Sequence, residues 1–234
     1  MNSNALQEVR VFAPATVANV ACGFDVLGFA INAPGDEVVA RHSDKPGLRI
    51  TKITGDDGKL PKIAEKNTAG VAALDLLRHL GMSDRGIELE IHKKMPFGSG
   101  LGSSAASAVA GVYAINKLIG EPLAKQQLLP FAMQGEASAD GAWHADNVGP
   151  SLLGGIVFIR SNQELDIAQL PVPKDLWAAV VHPDIEILTK VAREILPTNI
   201  PMVNATQQIG NLGGLICSLI QEDYAMIGRS IHDV

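Results

Sequence analysis

Three glycines alternate with other residues just before a long run of small residues, in the segment MPFGSGLGSSAASAVAGVYAINKL at residues 95–118. Gly98, Gly100 and Gly102 can adopt a positive φ, which lets several backbone N–H groups point to one side of a turn. The run of alanine and serine predicts a helix over residues 103–118, and the positive end of that helix faces the same side. We therefore expect a strand, a turn and a helix that together bind an anion such as a phosphate chain.

The glycine spacing by itself leaves a second interpretation open, because a glycine-rich turn between a strand and a helix can serve packing alone. The turn is not a Walker loop, since no lysine follows the glycines before Ser103, and Ser103 also stands where a dinucleotide fingerprint has its third glycine. Residues 102–106 are close to the G-x-S-x-G elbow of hydrolases. An elbow follows its strand directly, however, whereas residues 96–100 intervene here.

The order of the remaining elements favours an α+β fold. Strands are predicted at residues 9–17, 35–42, 48–53, 86–94, 154–161 and 176–183. Helices are predicted at residues 67–81, 103–118 and 187–197, and from Pro122 onwards through Glu136, with further helix up to the end of the chain. Because strands and helices do not alternate strictly, an α+β architecture is favoured over a doubly wound parallel sheet.

Prolines and the alternation of apolar and polar residues predict where several elements begin or end and which side chains face the core. Pro14 is expected to end the ladder of the first strand. Pro122 is expected to open a helix at its first position, and Pro130 to kink or restart that helix. The strand at 86–94 alternates apolar and polar residues, which places three side chains against the core: Ile87, Leu89 and Ile91.

A chain of 234 residues can form one large domain or two modest ones. We expect two α+β domains with a cleft between them, at residues 1–167 and 168–234. The polar segment 162–175, which contains two prolines, marks the boundary between the two. The chain ends at Val234 inside a predicted helix, so we expect the second domain to be incomplete.

Composition excludes several classes of function. The formal net charge of −6 and the absence of a basic cluster argue against nucleic acid or an anionic membrane as the partner. No apolar run reaches the length of a membrane span, and the N-terminus lacks the apolar core of a signal peptide. Cys22 and Cys217 are too far apart in the sequence for a disulfide framework or a zinc site, so two reduced thiols in a cytoplasmic protein are expected.

Four segments of this sequence resemble a known family. The run PFGSGLGSSAA at 96–106 resembles the phosphate-loop motif of the GHMP kinases, small-molecule kinases that use ATP and Mg²⁺. Within that superfamily the chain is similar to the homoserine kinases, in APATVANVACGFDVLGFA at 13–30, GEASADGAWHADNVGPSLLGG at 135–155 and TKVAREILP at 189–197. The resemblance implies ATP-dependent phosphorylation of the hydroxyl of L-homoserine in threonine biosynthesis. It also implies a two-domain GHMP kinase fold, with an N-terminal ribosomal protein S5 domain 2-like domain and a C-terminal ferredoxin-like domain.

The same resemblance assigns the nucleotide and metal sites. It places the ATP phosphates on Pro96, Phe97, Gly98, Ser99, Gly100, Leu101, Gly102, Ser103, Ser104, Ala105 and Ala106. It places Mg²⁺ on Ser104 and Glu136, and it makes Glu136 a catalytic residue. A hydroxyl and a carboxylate suit Mg²⁺, which prefers a few hard oxygen ligands and keeps several waters. Taken alone, Glu136 also fits a solvated carboxylate on a helix.

The resemblance assigns the amino-acid site to four side chains, namely Asn19, Asp25, His144 and Arg193. Asn147 is expected to be catalytic, at a position where several other GHMP kinases carry an aspartate taken as the general base. An amide cannot accept the hydroxyl proton at neutral pH. We therefore expect catalysis by positioning and electrostatics, with the proton passing to a phosphate oxygen or to water.

Structural explanations remain open for several of these residues. Asn19 and Asp25 also fit turn formers around a glycine. His144 is also consistent with a purely structural role beside a tryptophan. Arg193 is also consistent with a cation on the surface of a helix. The two lysines before the glycine turn are interpreted as exposed residues at a strand end and stay outside the site. A second carboxylate-binding arginine and a third glycine-rich motif of the family are expected beyond the last residue.

Two other functions are considered. Another GHMP kinase, acting on a mevalonate-type alcohol, is disfavoured by Asn147 and by the pair Asn19 and Asp25. A non-catalytic nucleotide-binding protein is disfavoured because the metal pair of Ser104 and Glu136 is retained. The oligomeric state is left open between a monomer and a homodimer.

Overall fold

The computed structural model describes residues 6–96, 98–141, 143–182 and 189–234. Its described strands form one mixed sheet of six: β1 (Glu8–Ala18), β2 (Leu27–His42), β3 (Leu48–Thr54), β4 (Ile87–His92), β5 (Ile156–Ser161) and β6 (Asp166–Leu170). The order is β3-β4-β2-β5-β6, with β1 also paired to β2. The pairing of β3 with β4 is parallel, and the other pairings are antiparallel. The expected α+β class is confirmed.

The described helices follow in chain order: α1 (Thr68–His79), α2 (Ser103–Leu118), α3 (Leu129–Asp140), α4 (Ala145–Leu153), α5 (Thr189–Glu194), α6 (Met202–Gln221) and α7 (Tyr224–Ser230). Short 3₁₀ turns precede α1 at Ala64–Lys66 and α3 at Lys125–Leu128. None of the helices in the described part of the chain is long and apolar enough to cross a membrane.

Helix α2 lies at the centre of the main core. It packs against β1 and β2 and contacts α1, α3 and α4. Its small residues allow these close approaches. A Cβ at Gly111, for example, would stand 2.8 Å from the backbone oxygen of Ala69 in α1. The predicted bounds of this helix are confirmed.

The two faces of the sheet are covered separately. In β5, Val157 and Ile159 belong to the main core, whereas Ile156 and Phe158 contact a smaller apolar cluster. Neighbouring side chains of a strand point to opposite faces, so the two clusters lie on opposite faces of the sheet. The smaller cluster consists of Cys22, Leu27, Ile156, Leu215 and Leu219 and includes the inner side of α6. The predicted inward set of β4 is confirmed, because Ile87, Leu89 and Ile91 are buried.

Two expectations about prolines are wrong. Strand β1 does not end at Pro14 but continues to Ala18, and its register with β2 shifts between Pro14 and Thr16. A proline is tolerated at such an irregularity because its missing N–H is not needed by the ladder there. No helix opens at Pro122. Helix α3 begins at Leu129 instead, with Pro130 in its first turn.

The segment 162–175 is not simply a linker, because it contains β6, which pairs antiparallel with β5. The expected division between residues 167 and 168 falls inside this strand, and the domain bounds remain a prediction. The strand expected at 176–183 is wrong for residues 176–182, which have no regular structure and pair with none of the described strands. The predicted helix at 187–197 is present as the shorter α5 within the described residues.

Candidate active site

A cavity of about 560 Å³ opens between the glycine turn, the segment after β1, the start of α4, and α5. Most of the residues expected in the site line it: Asn19, Asp25, Pro96, Gly98, Ser99, Gly100, Leu101, Gly102, Ser103, Ser104, Glu136, His144, Asn147 and Arg193. Ala105 and Ala106 are fully buried, in the first turn of α2, and do not line the cavity. Phe97 lies outside the described residues.

The glycine turn adopts the conformation that its sequence predicts. Gly98, Gly100 and Gly102 have φ values of 62°, 69° and 66°. A Cβ at Gly102 would overlap Thr16 Oγ1 and stand 2.8 Å from Asn147 Oδ1, whereas a Cβ at Gly100 would meet nothing within 4 Å. Gly102 is therefore required by close packing, and Gly100 leaves the space above the turn open.

Thr16, which the sequence did not single out, connects the turn to α4. Its backbone N–H donates to the carbonyl of Leu101 at 3.0 Å, and its Oγ1 donates to Asn147 Oδ1 at 2.7 Å. The hydrogen bond engages the amide oxygen, and the amide NH₂ of Asn147 keeps two donors. Thr16 is fully buried in β1, and this arrangement fixes Asn147 beside the glycine turn.

The proposed metal ligands can be tested against the structure. Ser104 Oγ, in the first turn of α2, is a buried oxygen with no hydrogen-bond partner among the described residues. Glu136, on α3, lines the same cavity. The described residues contain no group of three or more His, Cys, Asp or Glu that could hold a metal by themselves. A hydroxyl and a carboxylate fit Mg²⁺, which takes its other ligands from phosphates and water.

Opposite charges meet at the other end of the cavity. Arg193, on α5, donates to both carboxylate oxygens of Asp25, at 2.6 and 3.1 Å. His144 Nδ1 lies 3.4 Å from Asp25 Oδ2, and the guanidinium lies over the ring of Phe24 at 5.4 Å. Asn19 Oδ1 accepts a hydrogen bond from the backbone N–H of Asp25 at 3.0 Å. The structure thus brings the four expected amino-acid ligands together.

The backbone of this substrate-side segment is strained. Asn19, Val20, Ala21 and Asp25 all have positive φ, between 44° and 67°. For a β-branched residue such as Val20 this conformation is a genuine outlier. Strain of this kind persists where the surrounding structure imposes it, and it concentrates at functional sites.

Lys93 was wrongly expected to be exposed. Its side chain is 3% exposed and forms an ion pair with the fully buried Asp36 of β2. Burial lowers the pKa of Lys93, and the Asp36 carboxylate opposes that shift. The alternation of β4 contains the missed signal, because the inward positions 87, 89 and 91 continue to 93. Lys94 points the other way, is half exposed and pairs with Glu37, as expected of a surface lysine.

Asp146 is a second residue that the sequence analysis missed. It lies in the first turn of α4, is buried, and lines the cavity. Burial, together with the negative charge of Asp25, raises the pKa of Asp146 to about 6. Asn162 holds this part of the chain, since it accepts hydrogen bonds from Trp143 Nε1 at 2.9 Å and from the backbone N–H of Ala145 at 2.8 Å.

Comparison with known proteins agrees with this geometry. The model of the GHMP kinases N terminal domain matches residues 67–155. The homoserine kinase of Chlorobium phaeovibrioides is 47% identical over 238 residues, which cover 98% of this chain and 74% of the relative. That of Chlorobaculum tepidum is 48% identical over 239 residues, with the same coverage.

Comparison with solved structures shows that the fold is shared as well. The crystal structure of homoserine kinase from Cytophaga hutchinsonii superposes with a TM-score of 0.96 at 57% identity, covering all of this chain and 74% of that one. The L. major mevalonate kinase shares the fold at 16% identity, with a TM-score of 0.66 over 99% of this chain and 76% of that one. With such identity over three quarters of its relatives' length, the chain belongs to the homoserine kinase family of the GHMP kinases.

Proposed function

We propose that this protein transfers the terminal phosphoryl group of ATP to the hydroxyl of L-homoserine, giving O-phospho-L-homoserine and ADP for threonine biosynthesis in the cytoplasm. One observation carries the proposal: a single cavity has the glycine turn, with its three positive φ values, at one end and the pair of Asp25 and Arg193 at the other. The names of the related proteins support the same activity.

The amino-acid end matches a zwitterion. An ammonium needs a carboxylate, and a carboxylate is bound best by the two parallel donors of an arginine. In the structure Asp25 and Arg193 neutralise each other. Homoserine would replace this internal pair by two pairs, its ammonium on Asp25 and its carboxylate on Arg193. Asp146 adds a second carboxylate nearby, whose repulsion with Asp25 an ammonium would relieve.

The nucleotide end matches a phosphate chain. The N–H groups of the glycine turn and of the first turn of α2 bind phosphate oxygens, and the positive end of the helix dipole favours their charge. Ser104 and Glu136 would hold Mg²⁺. When bound there, the ion neutralises charge that develops on the phosphates.

At the position of the expected base this chain carries Asn147, whose amide is not a strong base. Asn147 donates through its amide to the homoserine hydroxyl and orients it, and Thr16 holds Asn147 in place. The proton leaves to a phosphate oxygen or to water, because an amide does not accept it at neutral pH. Rate acceleration then comes from positioning and electrostatic stabilisation, as phosphoryl transfer permits.

The test is ADP release by this protein with Mg²⁺ and ATP, measured with homoserine, mevalonate and galactose as acceptors. We expect turnover with homoserine alone, and phosphorus NMR should identify the phosphate monoester of its hydroxyl. Turnover with mevalonate or galactose instead would make the chain a different GHMP kinase. Binding of Mg²⁺ and ADP without turnover of any acceptor would make it a nucleotide-binding protein.

A further inference from the structure

We infer that Lys93 and Asp36 form a buried positioning pair, which fixes the first two turns of α2 and thereby sets the geometry of the phosphate and metal site. The inference rests on the proposed function. Lys93 acts here through Ser103 and Ser107 and does not bind the nucleotide itself.

The pair joins three elements at one point. Asp36 lies in β2, and Lys93 directly follows β4. Lys93 Nζ donates to Asp36 Oδ2, to the backbone oxygen of Ser103 at 2.8 Å and to Ser107 Oγ at 2.7 Å. An ammonium has three N–H donors, so all three are used inside the protein. Lys93 lines the cavity, but it has no donor left for a phosphate.

The carboxylate of Asp36 is satisfied just as fully. Its Oδ1 accepts from the backbone N–H of Lys94 at 2.9 Å. Its Oδ2 also accepts from Ser103 Oγ at 3.0 Å and from Ser107 Oγ at 3.2 Å. Ser103 and Ser107 are four residues apart and thus lie on one side of α2. The sheet consequently holds α2 by two successive turns.

Ser104 lies between these two anchors, and its buried Oγ has no partner among the described residues. The position of this oxygen, and of the N–H groups of the glycine turn before it, follows from where the anchors place α2. Lys93 is also near enough to Glu136 to feel its charge. The pair therefore affects both proposed metal ligands: Ser104 through the position of α2, and Glu136 through the charge of Lys93.

Stability alone is a weak reason for such a pair. The cost of removing two charges from water offsets much of their attraction, and apolar residues of similar volume often serve stability as well. A charged pair does, however, fix atoms through directional hydrogen bonds. Small displacements at a reacting site are costly, since an error of about 1 Å can lower a rate by about 100-fold.

The deciding variant is the double substitution Asp36→Asn and Lys93→Met, which removes both charges together and leaves neither one buried alone. We expect it to fold with a thermal midpoint close to that of the unmodified protein. Its dissociation constant for ADP with Mg²⁺, measured by calorimetry, should rise about tenfold or more, and kcat should fall about 100-fold. The dissociation constant for homoserine should stay unchanged, because that site lies at the other end of the cavity.

The adjacent pair offers a matched control. Glu37 and Lys94 follow Asp36 and Lys93 directly in the sequence and also form an ion pair, but that pair lies on the surface. Glu37→Gln with Lys94→Met should leave nucleotide affinity and kcat unchanged. Hydrogen exchange gives a structural readout: the amides of residues 98–106 should exchange faster in the nucleotide-free buried-pair variant than in this control.

A milder variant keeps the test decisive if the double substitution does not fold. Ser107→Ala removes one anchor and leaves both charges in place. It should weaken ADP binding without changing homoserine binding. Unchanged ADP affinity and kcat in the folded double variant, or in Ser107→Ala if that is the one that folds, would overturn the inference. Equal loss of ADP and homoserine affinity would also overturn it, because the pair would then support the whole fold. Failure of the unmodified protein to bind ADP or phosphorylate homoserine would instead count against the proposed function.

Discussion

Asn147 presents an amide to the cavity where a carboxylate would act as a base. Its oxygen accepts a hydrogen bond from Thr16, and its position beside Gly102 leaves it little freedom to move. An amide neither gains nor loses a proton near neutral pH. Titration of position 147 should therefore be absent from the pH–rate profile, and the residue should contribute one hydrogen bond to the acceptor hydroxyl.

Asn147→Leu should lower kcat/KM by roughly one to two orders of magnitude, or about 1–3 kcal/mol, the scale of one unmade buried hydrogen bond. Steady-state kinetics with ATP and homoserine provide the measurement. The substitution also leaves the Thr16 hydroxyl without its acceptor, so Thr16→Val is needed, alone and in combination, to separate the two effects.

Asp25→Asn is the matched comparison for Asn147→Leu. It should weaken homoserine binding more, because it removes the carboxylate that faces both Arg193 and the expected ammonium. If Asn147→Leu abolished turnover while both substrates still bound, the amide would perform essential chemistry and the positioning account would be wrong.

Glu136→Gln should lower turnover by orders of magnitude while the protein stays folded. The change replaces a charged oxygen ligand by a neutral amide next to the phosphates and leaves the volume almost unaltered. Activity is measured at saturating Mg²⁺, with folding checked by circular dichroism. Glu121→Gln, in an exposed pair with Lys117, is the control. Near-normal turnover of Glu136→Gln would remove this residue from the metal site.

Asp146 predicts a pH-dependent change in stability. Its pKa is raised from 3.8 to about 6 in the fold. The fold therefore favours the neutral acid. The contribution of Asp146 to the free energy of unfolding is fully present below pH 3.8, the pKa in the unfolded chain, and is lost as the pH rises through about 6. The shift corresponds to about 3 kcal/mol. Asp146→Asn should thus raise the free energy of unfolding by about 1–3 kcal/mol at pH 7.5 and change it little at pH 4.

Urea unfolding of the unmodified protein and of Asp146→Asn, each at pH 4 and at pH 7.5, measures the effect, and the pH 4 values serve as the control. An equal effect of Asp146→Asn at pH 4 and pH 7.5 would mean that the carboxyl is not held in its neutral form.

At the scale of elements, the turn before α2 uses its glycines for two different purposes. Gly102 allows the close approach of Thr16 and Asn147, so it joins the turn to β1 and α4. A Cβ at Gly100 would meet nothing within 4 Å, so this glycine instead keeps the cavity side of the turn open. A side chain at Gly102 should therefore disturb packing against β1 and α4, whereas a side chain at Gly100 should interfere with ligand binding.

Gly100→Val should weaken ADP binding about tenfold or more, because a branched side chain disfavours the positive φ and occupies space above the turn. It should also lower the free energy of unfolding by about 1–3 kcal/mol through backbone strain. Calorimetry with ADP and Mg²⁺ measures the first effect, and urea unfolding the second.

Gly120→Val is the matched control for backbone strain. Gly120 also has a positive φ and open space around its missing Cβ, but it lies in the turn after α2, away from the cavity. This variant should lose stability and keep its ADP affinity. Unchanged ADP affinity in a folded Gly100→Val variant would make the glycine turn a packing device.

At the scale of the whole molecule, the sheet separates a large core under α1 to α4 from a smaller cluster under α6. Leu27 of β2 is fully buried in the smaller cluster, and its backbone N–H donates to Gly23 at 2.9 Å. It therefore supports both α6 and the strained segment that carries Asn19 and Asp25.

Leu27→Ala should lower the free energy of unfolding by about 2–5 kcal/mol, because it removes buried apolar volume that its neighbours cannot refill. Urea unfolding provides the measurement. Ile63→Ala is the control at a largely exposed site, where a change within about 0.5 kcal/mol is expected. A loss as small as the control's would show that the smaller cluster contributes little to the fold.

The sequence by itself determined the features that depend on neighbours along the chain. The bounds of α2, the inward set of β4 and the positive φ of the three glycines follow from propensity, period and backbone freedom over a few residues. Motif resemblance identified most of the residues that line the cavity. Where sequence reasoning failed at Pro14 and at residues 176–182, the outcome depended on the pairing of strands.

Only the tertiary structure decided which distant residues meet. Asp36 and Lys93 are 57 positions apart, Thr16 and Asn147 are 131 apart, and Asp25 and Arg193 are 168 apart. Sequence spacing carries no information on such contacts, since they depend on the register of β2 against its neighbours and on the face that each helix buries. The burial that turns Lys93 from a surface cation into an anchor, and that raises the pKa of Asp146, exists only once those elements are packed.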